Sequence, residues 1–318
     1  MLNLVYRIGE KINSIEGFEA LDPRPRLRKQ NRIKSIHSSC SIEANSLSLG
    51  QVVDIVNGRK VVGPEKDILE VKNALGAYSR LGQFNPYELD DLLHLHSILA
   101  EGLVEDAGRF RTRGEGVFSG DRCIFVAPPP DIVPKNMRDL FDWLKRTEGE
   151  LHPLIASCVF HYELVFIHPF ADGNGRMARL WQTAILGKWK EIFFWIPIEN
   201  RIEKAQSEYY AAIDLCNRQG NSDAFIEFLL QAILNALEDV EEDLKNSQFA
   251  SPRISRLVEL MSDGAWYSSS EIMTMLGVKS RSTFLSYYLK PALDGSYIEY
   301  EFPDSPRSRY QRYRITGR

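Results

Sequence analysis

The sequence predicts a mainly α fold, and two observations support that prediction. Most of the first 250 residues space their apolar side chains three and four positions apart, as one face of an α-helix requires. One segment, residues 109–126, instead places apolar residues on both sides of a Ser-Gly-Asp turn, which predicts a β-hairpin. We therefore expect residues 1–250 to form a helical bundle interrupted by one hairpin.

Residues typical of helix starts and of linkers support this division. Asn85-Pro86 and Asn221-Ser222 precede two of the helical segments, as helix starts commonly require. The polar stretch after residue 245 predicts a linker, and residues 251–318 predict three short helices followed by two strands. That order is typical of a small winged helix-turn-helix domain. The helices predicted in the bundle cover residues 67–81, 87–103, 134–144, 156–167, 175–186 and 223–244.

Composition excludes several classes of protein. With 44% hydrophobic and 26% charged residues among 318, the chain has the balance of a globular protein. Its longest apolar run, residues 192–198, is far shorter than the roughly 20 residues of a membrane helix, so we expect a cytoplasmic protein without membrane contact. The cysteines lack CxxC pairing, which predicts buried free thiols. They are Cys40, Cys123, Cys158 and Cys216.

Charge is distributed unevenly. The net charge is −4, yet residues 252–318 hold ten lysines and arginines against seven acidic residues. The acidic remainder argues against nucleic-acid binding by bulk charge, whereas the C-terminal part has the charge to contact DNA.

The chemistry concentrates in the run Ile167–Arg179, between two helical segments. Gly173 and Gly175 allow backbone angles that other residues avoid, so successive N–H groups turn inward where a helix begins. Such a turn binds anions. Arg176 and Arg179 lie three residues apart, on one face of the new helix, where their guanidinium groups suit phosphate oxygens.

Two further residues of the run fit phosphate transfer. Asp172 suits a hard cation, because magnesium prefers one or two carboxylates together with phosphate oxygens. His168 suits a general base that takes a proton from an incoming nucleophile. A lone histidine near a helix end is more often structural, so it is the conjunction that favours a functional site. Neither a GxxxxGK[ST] motif nor a strand-led glycine turn is present.

The run matches HxFx(D/E)GNGRxxR, the signature of the Fic family, at every specified position, and the chain therefore resembles that family. The resemblance implies a Fic-type helical core that transfers AMP from Mg-ATP to a Ser, Thr or Tyr hydroxyl of a protein, self-modification included. It implies that His168 deprotonates the hydroxyl, that Asp172 coordinates Mg²⁺, and that Phe170 anchors the loop. The nucleotide-binding residues it implies are Asp172, Gly173, Asn174, Gly175, Arg176, Met177, Ala178 and Arg179.

Two other segments resemble parts of Fic proteins. The predicted hairpin lies where the family has a flap, whose tip would align a target backbone by strand addition. Two adjacent tyrosines and a following asparagine resemble the family's adenine pocket, although paired tyrosines in a helix are more often core residues. The flap residues are Val117, Phe118, Ser119 and Gly120. The adenine-pocket residues are Tyr209, Tyr210 and Asn217.

Upstream of the signature, the chain resembles the Fic inhibitory motif (S/T)xxxE(G/N), on a helix expected around residues 35–46. Ser39 would be its hydroxyl and Glu43 its acid. In the family this glutamate pairs with the second signature arginine, here Arg179, and excludes the γ-phosphate of ATP. Ala44 departs from the pattern, which has Gly or Asn there. Glu43 on ordinary helix surface is the alternative interpretation.

The C-terminal unit resembles the winged helix behind some Fic domains. Its aromatic residues favour protein recognition or dimerisation, while DNA contact stays an alternative. The rival hypothesis for the whole chain is a DNA-binding transcription regulator whose Fic core senses nucleotide. A donor other than ATP, phosphorylation as in Doc relatives, and removal of AMP are further alternatives. The target, the trigger that displaces Glu43 and the oligomeric state stay open.

Overall fold

The computed structural model describes residues 1–21, 25–119, 122–247, 252–261, 264–294, 297–303, 305–306 and 308–316. Within these ranges, the side chains of residues 18–21, 25–26, 117–119, 122–125 and 246–247 lie outside the described part. The chain divides into two compact units, Met1–Glu241 and Glu242–Arg318.

The first unit is a helical bundle with one two-stranded sheet, which confirms the predicted mainly α fold. Its strands are β1 Gly116–Ser119 and β2 Arg122–Val126. Its helices, the last of which extends past the division, are α1 Leu2–Leu21, α2 Pro25–Ile42, α3 Leu49–Val56, α4 Glu65–Arg80, α5 Leu89–Leu99, α6 Val133–Arg146, α7 Pro153–Ile167, α8 Asn174–Trp189, α9 Ile198–Lys204, α10 Gln206–Gln219 and α11 Asp223–Ser247. Short 3-10 turns lie at Leu81–Gln83, Pro130–Ile132 and Glu191–Phe194.

All six helical segments predicted from periodicity are helices. The sequence pattern did not predict α1, most of α2, α3, or α9 and α10 as separate helices. The polar character of the buried positions explains the failure at α2: Asn31, Ser35, Ser38 and Ser39 are all buried there. A helix that buries polar residues among its apolar ones lacks the continuous apolar stripe on which periodicity depends.

The signature helix α8 lies in the middle of the hydrophobic core. Its residues from Asn174 to Gly187 are buried, apart from the partly exposed Gly175. Trp181 is fully buried, and its indole N–H donates to the Pro86 carbonyl at 3.2 Å. Phe160 of α7 is also fully buried, in the same cluster. The start of α8 is therefore held by dense packing on a rigid scaffold.

The hairpin is shorter than predicted. β1 begins at Gly116 and pairs antiparallel with β2, from Gly116 opposite Val126 to Ser119 opposite Arg122, with an irregularity between Val117 and Phe118. The predicted start at Arg109 is wrong, because residues 109–115 belong to no strand. Gly120, at the tip, lies outside the described residues.

The second unit has the helix–strand–helix–helix–strand–strand order of a winged helix-turn-helix. Its three strands form an antiparallel sheet in the order β3-β5-β4. The two-residue strand β3 was not predicted, since so short a segment carries no alternation. The elements are α12 Pro252–Leu260, β3 Tyr267–Ser268, α13 Ser269–Leu276, α14 Arg281–Phe284, a π-helical turn Leu285–Leu289, α15 Lys290–Asp294, β4 Ile298–Tyr300 and β5 Arg312–Ile315.

This unit has its own hydrophobic core, in which Leu257, Phe284 and Ala292 are fully buried. Ser268 and Glu271 form a capping box that begins α13. The core stabilises this unit, and the capping box stabilises the start of α13.

Two expectations from composition concern cysteines and membranes. Cys40, Cys158 and Cys216 are buried free thiols, as predicted; the Cys123 side chain lies outside the described part. Across the described ranges, no helix combines the length and apolar character needed to cross a membrane.

Candidate active site

A short loop, His168–Gly173, connects α7 to α8 and carries the signature; we call it the signature loop. His168 ends α7 in the left-handed region at φ 52°, and Gly173 precedes α8 at φ 83°. Asn174 closes the loop: its side-chain oxygen accepts from Phe170 N–H at 2.9 Å, and its amide donates to the Phe170 carbonyl at 2.8 Å. The Asn174 side chain thus shapes the loop and leaves anion binding to backbone N–H groups.

Phe170 anchors the signature loop, as predicted, and a histidine from α5 supports it. Phe170 is fully buried and stacks on His96 with ring centroids 3.7 Å apart. His96 Nδ1 accepts from Gly108 N–H at 2.9 Å, so the ring proton is on Nε2, which donates to the Asp172 carbonyl at 3.0 Å. Burial lowers the pKa of His96 to about 4, which keeps this neutral tautomer at physiological pH. No pattern in the sequence pointed to His96.

The first turn of α8, with Gly173 and Gly175, is the part of the chain that the sequence predicts to bind phosphate, and we call it the phosphate cradle. The first N–H groups of a helix have no intrahelical partner, and the helix dipole adds positive potential there. A Cβ at Gly175 would lie only 2.3 Å from Oε1 of Glu43, so no larger residue fits while that carboxylate is present. Met177 and Ala178, which follow, have side chains fully buried in the core.

Asp172 lies at the edge of the cradle with its side chain 41% exposed. Its Oδ1 accepts from Gly173 N–H at 2.6 Å and from Arg176 Nη2 at 3.2 Å. The described part of the chain contains no cluster of three or more histidine, cysteine or acidic ligands. A single carboxylate beside a phosphate site fits Mg²⁺, which takes its other ligands from phosphate and water.

His168 has one ring nitrogen available as a base. Its Nδ1 lies 3.3 Å from the Val165 carbonyl, which only accepts, so Nδ1 carries the proton and Nε2 keeps its lone pair. Burial lowers the pKa of His168, against the raising effect of that hydrogen bond. A lowered pKa keeps the imidazole neutral, and therefore able to take a proton, at neutral pH.

Arg111 holds the signature loop against the base of the flap, a role that sequence reasoning missed. It is 3% exposed and donates to the carbonyls of His168 at 2.7 Å, Pro128 at 2.6 Å and Arg113 at 2.8 Å. Its own N–H donates to the Pro169 carbonyl at 2.9 Å. A guanidinium at the end of α7 also complements the helix dipole. An arginine within a predicted strand gives no sign of carbonyl partners that lie elsewhere.

Residues Ser39–Asn45, which we call the inhibitory segment, cross the phosphate cradle. Arg179 is 2% exposed, and its Nη2 donates to Glu43 Oε1 at 2.8 Å and to the Ser39 carbonyl at 2.9 Å. Its Nε donates to Ser39 Oγ at 3.1 Å. Burial, the largest single effect, lowers the pKa of Arg179, but Glu43 together with the hydroxyl groups of Tyr209 and Tyr78 raises the pKa above its ordinary value. The structure therefore brings Ser39, Glu43 and Arg179 together.

The backbone of the inhibitory segment explains why the family pattern has Gly or Asn at the position of Ala44. Asn45 N–H donates to the Cys40 carbonyl and Ala44 N–H to the Ser41 carbonyl, which is the Schellman pattern that ends a helix. Ala44 occupies its left-handed position at φ 65°. Glycine and asparagine tolerate that region best, so the Gly or Asn of the family pattern has a physical reason. The helix ends at Ile42, earlier than the predicted 46.

The predicted adenine-pocket residues all lie on α10 and have different surroundings. Tyr209 is 2% exposed, and its O–H donates to His161 Nε2 at 3.0 Å. Tyr210 is 46% exposed. Burial and the charge of Glu43 raise the pKa of Tyr210, which places its hydroxyl in the field of the inhibitory segment. Asn217 accepts from the Tyr162 hydroxyl at 2.8 Å.

The predicted flap residues Val117, Phe118 and Ser119 form β1, which pairs with β2 and with no other described strand. One edge of β1 is therefore free of strand partners within the described residues. Such an edge can pair with an extended segment of another chain.

Comparison with known proteins agrees with this geometry. The family described as "Fic/DOC family" matches residues 86–186, and "Filamentation induced by cAMP protein Fic-like, C-terminal domain" matches residues 252–316. A solved structure of a Fic family protein from Desulfovibrio desulfuricans is 42% identical, covers 100% of this chain and 96% of that chain, and superposes with a TM-score of 0.75. The chain belongs to the Fic family.

Relatives with curated names extend the comparison. The Nematostella vectensis protein adenylyltransferase Fic is 33% identical over 217 residues, which are 65% of this chain and 48% of that protein. The Caenorhabditis elegans protein adenylyltransferase fic-1 is 28% identical over 265 residues, 78% of this chain and 49% of that protein. The chain thus spans about half the length of these curated relatives.

Proposed function

We propose that this chain is a protein adenylyltransferase, which transfers AMP from Mg-ATP to a hydroxyl of a protein side chain and which Glu43 inhibits. The observation that carries the proposal is the carboxylate of Glu43, bonded to Arg179 at 2.8 Å and seated over Gly175. An anion from elsewhere in the chain occupies the cradle where the signature would bind phosphate. The curated relatives named protein adenylyltransferase support the same chemistry.

His168 acts as the general base. Its free Nε2 takes the proton of the target hydroxyl as the oxygen forms a bond to the α-phosphorus of ATP. The bond from that phosphorus to the oxygen bridging to the β-phosphate breaks, and pyrophosphate leaves. The lowered pKa of His168 keeps the base form populated, and Arg111 fixes its main chain through the 2.7 Å bond to the His168 carbonyl.

The remaining signature residues bind the triphosphate. Backbone N–H groups of the cradle hold the α- and β-phosphates, Arg176 the β-phosphate and Arg179 the γ-phosphate. Asp172 is placed to hold Mg²⁺, which when bound neutralises phosphate charge. Phosphoryl and nucleotidyl transfers need positioning and charge neutralisation more than covalent help, and these residues supply both.

Inhibition follows from competition for one arginine. While Glu43 bonds Arg179, the γ-phosphate has neither this guanidinium nor the space beside Gly175. ATP then binds with its α-phosphorus out of line with the attacking hydroxyl. Release of the inhibitory segment frees both at once.

The target protein and the adenine of ATP bind to two other elements, β1 and α10. The free edge of β1, which contains Val117, Phe118 and Ser119, aligns the target backbone by strand pairing. Tyr210 and Asn217 border the adenine, and Tyr209, bonded to His161 in the core, packs against the Tyr210 ring.

Labelling of the Glu43→Gly variant tests the proposal. The variant is incubated with ATP, CTP, GTP or UTP carrying the label on the α-phosphorus, and with ATP labelled on the γ-phosphorus. We expect protein labelled from α-labelled ATP and none from γ-labelled ATP. Label from the γ-position would indicate phosphorylation, and a stronger signal with another nucleotide would replace AMP by that donor. The Glu43→Gly, His168→Ala double variant is the matched control and should incorporate nothing.

A further inference from the structure

A buried carboxylate outside the signature, that of Glu70 on α4, touches both the signature and the inhibitory segment. Glu70 is 5% exposed. A buried carboxylate is stable only where cations and hydrogen bonds compensate its lost hydration. Its partners are Arg176, the first signature arginine, and Asn45, two residues beyond Glu43.

The two carboxylate oxygens of Glu70 have different partners. Oε1 lies 3.4 Å from Nη1 of Arg176. Oε2 accepts from Nδ2 of Asn45 at 2.8 Å. Lys66 approaches only to 3.9 Å and has a 68% exposed side chain, so it adds little.

Arg176 depends on this carboxylate more than on its other one. The guanidinium is 4% exposed, and Asp172 at 3.2 Å is its remaining acidic partner. Asp172 is 41% exposed and is also the proposed magnesium ligand, so it is shared when Mg-ATP binds. Nε and Nη1 of Arg176 make no hydrogen bond to any described residue. Glu70 thus neutralises the arginine's charge without using these N–H donors.

From this arrangement we propose that Glu70 is a positioning residue for the transfer reaction. It neutralises the Arg176 guanidinium and holds it at the first turn of α8, while Nε and Nη1 keep N–H groups that make no hydrogen bond to a described residue. Its second oxygen holds Asn45, so the same carboxylate also fixes the C-terminal end of the inhibitory segment. The role in transfer rests on the proposed function, whereas the effect on nucleotide binding does not.

The test measures Mg-ATP binding in the Glu43→Gly background, where inhibition is absent. Calorimetry gives the Kd for Mg-ATP, and α-labelled ATP gives the transfer rate. We expect Glu70→Gln to raise the Kd about tenfold, the size of one lost charge-assisted contact. Glu70→Asp, which keeps the charge, should retain part of the affinity and covers the case in which Glu70→Gln does not fold. Lys66→Ala is the matched control and should leave the Kd unchanged.

A double-variant cycle with Arg176→Ala distinguishes positioning from a general structural role. If Glu70 acts through Arg176, Glu70→Gln changes the Kd less than twofold once Arg176 is alanine. An equal loss of affinity with and without Arg176 would overturn the proposal, as would an unchanged Kd in the Glu43→Gly background.

The Asn45→Ala variant tests the second contact, the hydrogen bond from Asn45 to Glu70. In the chain that retains Glu43, it should raise AMP incorporation severalfold, because the inhibitory segment loses its anchor, and with Glu43→Gly it should add nothing. No gain in the first case would remove the Asn45 half of the proposal. If Glu43→Gly binds Mg-ATP but transfers no AMP, the proposed function is contradicted. The Kd values of the Glu70→Gln and Arg176→Ala variants would still test the role of Glu70 in nucleotide binding. Absence of ATP binding would overturn both.

Discussion

Ala44 follows Glu43 directly and has a strained backbone angle at the end of α2. It holds a left-handed angle, φ 65°, one residue after the glutamate that bonds Arg179. An L-residue with a Cβ pays a conformational penalty there that glycine avoids. The inhibitory segment of this chain therefore ends its helix less favourably than one with glycine.

Ala44→Gly should stabilise the protein by about 1 kcal/mol, since relief of the left-handed strain exceeds the added entropy of the unfolded chain. Urea unfolding of the variant and the parent checks this. Ala211→Gly, at an exposed position within α10, is the matched control and should destabilise by about 0.5–1 kcal/mol because its backbone is helical. A loss of stability at both positions would show that the strain at Ala44 carries no cost.

Among the secondary-structure elements, α2, which carries Ser39, is held by polar contacts with α9. Ser35 O–H and Tyr78 O–H both donate to the buried carboxylate of Glu199, at 2.7 Å each. Ser38 O–H donates to Glu203 at 2.6 Å. Buried hydrogen bonds, added to the apolar packing of Ile33 and Ile36, define the position of α2 closely, because each needs a particular geometry.

Ser35→Ala should lower the free energy of unfolding by about 1–3 kcal/mol, because it removes one of two hydroxyl donors from a buried carboxylate. Thermal or urea unfolding measures the effect. Ser79→Ala, at an exposed serine of α4 whose hydroxyl bonds the Gly76 carbonyl, should change stability by no more than about 0.5 kcal/mol. Equal effects at the two serines would mean that Glu199 does not rely on Ser35.

How far apart two contacting residues lie in the sequence decided what the sequence could predict. Local patterns sufficed for α4 to α8, for the hairpin and for the signature, where neighbouring residues such as Gly173 and Asn174 define the loop. Glu43 with Arg179 required a family pattern, because 136 residues separate them. Arg111, His96 and Glu70 had no signal, since their partners lie on other elements and buried polar residues resemble surface ones in a sequence.

At the scale of the whole molecule, buried neutral histidines make stability depend on pH. Burial lowers the pKa of His96 to about 4 and of His161 to about 3, from an ordinary value of 6.5. Below pH 6.5 the unfolded chain binds protons at these sites that the folded chain does not. The stability they allow is present above pH 6.5 and is lost as the pH falls towards the folded values.

The free energy of unfolding should therefore fall by about 1.4 kcal/mol per pH unit for each histidine as the pH drops from 6.5 towards 4. Urea titrations at pH 6.5, 5.5 and 4.5 give the slope. His96→Gln should reduce the slope by about the share of one histidine, whatever its effect at pH 6.5. Stability that stays constant between pH 6.5 and 5.5 would contradict the buried neutral state of both.

The second unit has its own core and matches its own family description over residues 252–316, which supports treating residues 251–318 as a separate domain. Contact of that domain with DNA or protein stays a prediction. In the first unit, Glu43 and Arg179 meet at the phosphate cradle.

The decisive measurement is the rate of AMP incorporation by four chains: the parent, Glu43→Gly, Arg179→Ala and the double variant. Glu43→Gly should raise the rate by an order of magnitude or more, because misplacement of a reacting atom by about 1 Å can cost roughly a hundredfold. Arg179→Ala also breaks the 2.8 Å contact but removes the γ-phosphate ligand, so the double variant should be no faster than Arg179→Ala alone. No gain in Glu43→Gly, or an equal gain in the Arg179→Ala background, would contradict inhibition through this contact.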